Sequence, residues 1–103
     1  MTDVKVAVVR AVGVKGNKDF MGGKFVRYEE DVAAIKAAVK KAVELAVGGI
    51  DAIVKPGDRV LVKPNLAFQA PPESFAVVDP RTVEAVVAFL KEESKAAEVW
   101  VGD

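Results

Sequence analysis

Cysteine and histidine are both missing from the 103 residues. Without thiols the chain can form no disulfide, thiolate metal site or iron–sulfur ligand set, and it has no cysteine nucleophile. Without imidazole it lacks the commonest general base and the commonest transition-metal ligand. Any chemistry must rest on Asp, Glu, Lys, Arg, Tyr, Ser, Thr or a borrowed cofactor. Only oxygen ligands remain for a metal, and these suit Mg²⁺ or Ca²⁺. No metal cluster and no cofactor held within this chain are expected. A surplus of one charge is missing too: 15 Lys and Arg balance 15 Asp and Glu. Nonspecific nucleic-acid binding driven by overall charge is therefore not expected. No apolar run reaches the roughly 18 residues of a membrane span, so no membrane partner is expected. The start, Met1-Thr2-Asp3, is acidic and shows no signal-peptide pattern, which points to the cytoplasm. Asn and Gln are few while Val, Lys and Glu are many, a composition that leans towards a thermophilic source.

What is present is a folding composition, with 51% hydrophobic and 29% charged residues. The length suits one α/β domain over residues 1–103. Residues 4–9, V-K-V-A-V-V, are nearly continuous in apolar character, as in a parallel strand buried on both faces. Arg10 closes that run. Residues 11–28 form a long connection with four glycines, and Lys15, Lys18, Lys24 and Arg27 outweigh Asp19 there. Phe20, Met21 and Phe25 are expected to pin part of it down. A helix is predicted over residues 29–47, because Val32, Ile35, Val39, Ala42 and Ala46 step by three and four. Acids fill its first turn, and Gly48-Gly49 suits a left-handed stop. Residues 50–54 fit one extra turn.

Pro56-Gly57-Asp58 then reads as a tight turn, residues 59–63 as a strand, and Pro64-Asn65 as its stop. A second connection over residues 66–78 is stiffened by Pro71-Pro72. Asp79-Pro80 opens a second helix, with Asp79 as N-cap and Pro80 in the first turn. Its core face is expected to be Val83, Val86, Val87 and Leu90. Residues 98–101 form the last strand. The order βαβαβ is a Rossmann-like half-unit: a three-stranded parallel sheet with flanking helices in three layers, the first strand in the centre. The expected core is Val6, Val8, Val60, Val62, Val99 and Val101, packed by Ile35, Val39, Val86 and Leu90, with Trp100 also inside.

Ligands of open parallel sheets bind beyond the carboxyl ends of the strands. Arg10, Lys63 with Asn65, and Asp103 converge there and are the candidate ligand-binding residues. Lys63 reads either as a snorkelling edge lysine or as a contact for an anion. Asn65 reads as a turn residue or as a directional donor. Arg10 fits an ion pair or a ligand contact equally. Asp103 has Asp58 and Asp79 as conceivable partners for a metal. Asp79 itself reads as a helix cap. The glycines of the first loop fit neither a dinucleotide fingerprint nor a Walker loop. Gly13 and Gly16 lack the G-x-G-x-x-G spacing. Gly23-Lys24 is followed by Phe25, with Lys18 where the first glycine should stand.

Several segments together resemble a known family. They are Val6-Ala7-Val8-Val9-Arg10, Gly48-Gly49-Ile50, Val54-Lys55-Pro56-Gly57-Asp58-Arg59-Val60, Val62-Lys63-Pro64-Asn65-Leu66, Asp79-Pro80 with Val83-Glu84-Ala85-Val86, and Val99-Trp100-Val101-Gly102-Asp103. They resemble the amino-terminal part of the domain of unknown function 362. The resemblance implies a Rossmann-like domain without an assigned activity. It also implies a link to redox or cofactor work, because longer relatives often carry a ferredoxin-like iron–sulfur module. This chain lacks those cysteines and stops at Asp103, so the expectation is a fragment or a minimal version that acts with partners. Two functions follow. One is binding of a small anionic or phosphate-bearing ligand at the carboxyl edge of the sheet. The other is a structural or interaction module that completes its sheet by oligomerisation. Exposed strand edges favour a homo-oligomer in either case.

Overall fold

A computed structural model of the chain describes residues 5–14, 20–21, 24–25, 27–64 and 79–102. Two short strands, β1 (Phe20–Met21) and β2 (Lys24–Phe25), pair antiparallel inside the first connection, where sequence periodicity gave no strand. Helix α1 (Tyr28–Val47) follows within one residue of its expected start. Its stop is a left-handed Gly48, φ 88°, whose N–H donates to the Glu44 carbonyl. A residue with a Cβ is strained there, and this is why the helix ends on glycine. The expected extra turn is a single 3-10 turn, Ile50–Ala52, which delivers Val54 into the core.

The tight turn forms as expected. Asp58 N–H donates to the Lys55 carbonyl at 3.0 Å, and the Asp58 carboxylate accepts the Lys55 N–H at 2.7 Å. Strand β3 (Arg59–Val62) leaves this turn. Helix α2 (Pro80–Glu93) begins at an Asp79 cap that accepts the Arg81 N–H at 2.9 Å, with Pro80 in the first turn. Its end lacks glycine, and Ser94 closes it instead. The Ser94 hydroxyl donates to the Leu90 carbonyl at 2.6 Å and accepts the Ala96 N–H at 3.3 Å. Strand β4 (Glu98–Val101) then pairs parallel with β3, Val60 opposite Val99 and Leu61 opposite Trp100. The Gly102 N–H extends the ladder to the Val62 carbonyl.

The fold is mixed α/β, with two helices and a two-stranded parallel sheet. The third parallel strand, expected near residues 4–10, is not seen: residues 5–10 carry no strand. Ala7 and Val9 are half-buried, while Val6 and Val8 are 81% and 89% exposed. The segment lies over α1, sharing a cavity wall with Ile35 and Val39. One layer beneath it cannot bury both sides of an apolar run, so Val6 and Val8 are not core. Among the described residues the sheet has no central first strand and two layers rather than three.

The core lies between the helices and the inner face of the sheet. Val54, Phe89 and Leu90 are buried, and Val39, Val43, Val60, Val62, Val86 and Val99 pack against them. Each fully buried side chain of this size contributes about 1.5–3 kcal/mol. Val54 and Phe89 were not among the expected core positions. Arg81, Ala85 and Phe89 step by four and are all buried, so the inward stripe of α2 is rotated from the valine face expected for it. Val101 is 52% exposed and Trp100 is 59% exposed. Trp100 points to the sheet face that no described helix covers, and so does not join the core.

Candidate functional site

Three places gather candidate side chains, and each follows from how its element is built. The first is the carboxyl end of the sheet. Parallel pairing brings the exits of β3 and β4 to one edge, with exposed Lys63 just past β3 and Gly102 just past β4. Asn65 and Asp103 lie outside the described residues. Arg10 is exposed over α1, beside Lys41 and the alanines of that helix. The shallow cavity beside Arg10 does not include Lys63 in its lining.

The second place is the paired start of the two helices. Asp31 and Arg81 are each 1% exposed, and Arg81 Nη1 donates to Asp31 Oδ2 at 2.7 Å. The same guanidinium donates from Nη2 to Asp79 Oδ2 at 2.7 Å and from Nε to Asp79 Oδ1 at 3.1 Å. Hydrogen bonding to Asp79, then to Asp31, holds the Arg81 pKa above its already high ordinary value, against the opposing effect of burial. Asp79 is thus more than a cap: it fixes the α2 backbone and the Arg81 side chain together. The cluster forms one end of a cavity of about 520 Å³. The remaining walls are apolar, from Val8, Val9 and Val14 on one side and Ile35 and Val39 on the other. Two carboxylates against one guanidinium leave a net negative charge, which disfavours an anion at this end. The arrangement joins the helix starts electrostatically.

Tyr28 opens α1 near the same cluster and is hydrogen-bonded to the Glu84 side chain. Burial, and then that carboxylate, push its phenol up to about 12. Neither Asp31 nor Arg81 was singled out from the sequence. The signal was available, because each stands on the apolar stripe of its helix: Asp31 four before Ile35, and Arg81 four before Ala85.

The third place is the outer face of the sheet. Strand alternation puts Arg59, Leu61, Glu98 and Trp100 on it. Leu61 and Trp100 are register partners and each is 59% exposed. Trp100 Nε1 donates to Glu98 Oε2 at 2.9 Å, so the indole lies along its own strand. Ile53, 60% exposed, is a further exposed apolar side chain.

Among the described residues no group of three or more Asp or Glu could hold a metal ion. No described helix is long and apolar enough to cross a membrane. No curated protein and no solved structure matches the chain. The segments before residue 60 that carry a resemblance, such as Gly48-Gly49-Ile50, lie outside the one family match. That match spans residues 60–103, which take in most of β3, all of α2 and all of β4, and its family is described as Domain of unknown function (DUF362).

Proposed function

We propose that this chain is an interaction module that completes its two-stranded sheet by oligomerisation. The observation that carries this reading is the adjacent Leu61–Trp100 pair, each 59% exposed on the face that no described helix covers. Burying either side chain would contribute about 1.5–3 kcal/mol. An unburied apolar pair at the middle of a sheet is a contact surface in waiting. The sheet also leaves β3 and β4 with one neighbour each among the described residues, and unpaired strand edges invite further strands. The test is the mass in solution by light scattering across a wide concentration range. Association above the monomer mass of 10.9 kDa is expected. A strictly monomeric mass at high concentration would refute the reading.

A second reading, a weak site for a small anionic or phosphate-bearing ligand, draws support from the parallel register. That register puts exposed Lys63 at the edge where both strands end. A charged hydrogen bond there would contribute on the order of 1–3 kcal/mol. Titration with phosphate, nucleotides and dicarboxylates tests it. Lys63→Ala should weaken binding and leave the melting temperature unchanged. Absence of binding by the parent chain would end this reading.

A further inference from the structure

We propose that oligomerisation begins on the outer face of the sheet, which packs on the same face of a second copy about a two-fold axis that runs along the strands. This rests on the interaction-module reading and names its partner and geometry.

The outer face is laid out in rows by the parallel register. Arg59 stands beside Glu98, and Leu61 beside Trp100. By the same alternation Lys63 stands beside Gly102. A two-fold axis parallel to the strands and midway between facing sheets exchanges left and right while keeping each row at its own height. Each β3 residue then lies over its own register partner in the other copy. Arg59 meets the partner's Glu98, and Leu61 meets the partner's Trp100. Lys63 lies over the partner's Gly102, where there is no side chain to oppose it. Gly102 also leaves space beside Leu61, whose Cδ1 is 3.8 Å from where a Cβ at Gly102 would stand.

The charges select this axis over the other in-plane choice. An axis across the strands would lay β3 on β3 and put Arg59 against the partner's Lys63, a like-charge contact. The contact is isologous, so each good pair occurs twice. A formal net charge of zero removes long-range repulsion between copies. The face is small. Four residues per strand span about 13 Å, and neighbouring strands are about 5 Å apart. A footprint on the order of 100–200 Å² per copy lies well below the roughly 800 Å² per partner of a standard interface, so association should be weak and strongly concentration-dependent.

Sedimentation equilibrium of the full chain and two charge variants tests this, with circular dichroism confirming that each is folded. Arg59→Glu alone sets glutamates against each other in the homodimer, and Glu98→Arg alone sets arginines against each other. Each variant should associate roughly tenfold or more weakly than the parent. Mixed in equal amounts, they form a heterodimer in which both crossed contacts are attractive, and association should recover. Changes confined to one chain cannot produce that recovery. Leu61→Lys, which strikes the apolar row, should remove association without rescue by either variant. Recovery on mixing supports the proposal. If the parent associates but the variants behave like it, or mixing restores nothing, the outer face is not the contact and the proposal fails, while the interaction-module reading stands. A parent that stays monomeric overturns both.

Discussion

Replacing Arg81 by Met removes the guanidinium and keeps most of the side-chain volume. The structure then leaves Asp31, 1% exposed, without its 2.7 Å ionic partner, and Asp79 without three of the bonds it accepts. Stranding a buried charge in this way costs about 3–5 kcal/mol. A domain of this length has a total stability of about 5–15 kcal/mol. Arg81→Met should therefore lose a large part of the stability, and far more than a surface change at the Lys36–Glu92 pair, where about 0–1 kcal/mol is at stake. The second arm removes both charges. Asp31→Leu with Arg81→Met leaves no uncompensated carboxylate at position 31, so the double variant should be more stable than Arg81→Met alone. Urea unfolding followed by far-UV circular dichroism at neutral pH reads Arg81→Met, Asp31→Leu and the double variant. If Arg81→Met costs less than about 1 kcal/mol, or if the two single costs simply add in the double variant, the buried clamp between the helix starts is wrong.

Two more predictions rest on single residues. Tyr28 is the only tyrosine, so absorbance at 295 nm titrates it alone. Its midpoint should lie near 12 in the folded chain and return to the ordinary value of 10.0 in denaturant. Between those values the unfolded chain releases a proton that the folded chain keeps. Stability should be full below that window and fall as pH rises through it, and Tyr28→Phe should reduce the dependence, leaving the part due to lysines such as Lys40, which Glu93 also holds above its ordinary value. An ordinary midpoint in the folded chain would contradict the Glu84 bond. Gly48→Ala should lower stability by about 1 kcal/mol because φ is 88° there. Gly49→Ala, in extended backbone, should cost less. Equal melting temperatures for the two variants would refute the left-handed cap.

Both helices and both long strands were legible in the sequence to within a residue or two, because caps and turns are local chemistry. Gly48 needs positive φ, Asp79-Pro80 satisfies a helix start, and Pro56-Gly57-Asp58 closes a turn. None of these depends on distant residues. The first apolar run illustrates the opposite case. Residues 4–9 have the composition of a strand buried on both faces, but burial needs a layer on each side. Residues 5–10 have described residues packed on one side, from α1 and the start of α2, and Val6 and Val8 are exposed. Trp100 fails for the same reason: alternation placed it on one sheet face, and only tertiary packing decides which face the helices cover. The Arg81–Asp31 clamp was hidden by the habit of assigning charged residues to the surface, although both stand in step with apolar stripes. Of the residues proposed for a ligand, Lys63 lies at the edge that topology gave it. Arg10 lies over α1, and Asn65 and Asp103 lie outside the described residues.

The most direct test of the self-association account uses the only tryptophan in the chain. Trp100 stands on the proposed contact face with 59% of its surface exposed. Its emission maximum is measured from the dilute to the concentrated chain, alongside Leu61→Lys. The account predicts a blue shift with concentration in the parent, as the partner's Leu61 removes water from the indole, and a fixed red emission in the variant. A parent whose emission stays red while its mass stays at 10.9 kDa throughout would contradict it.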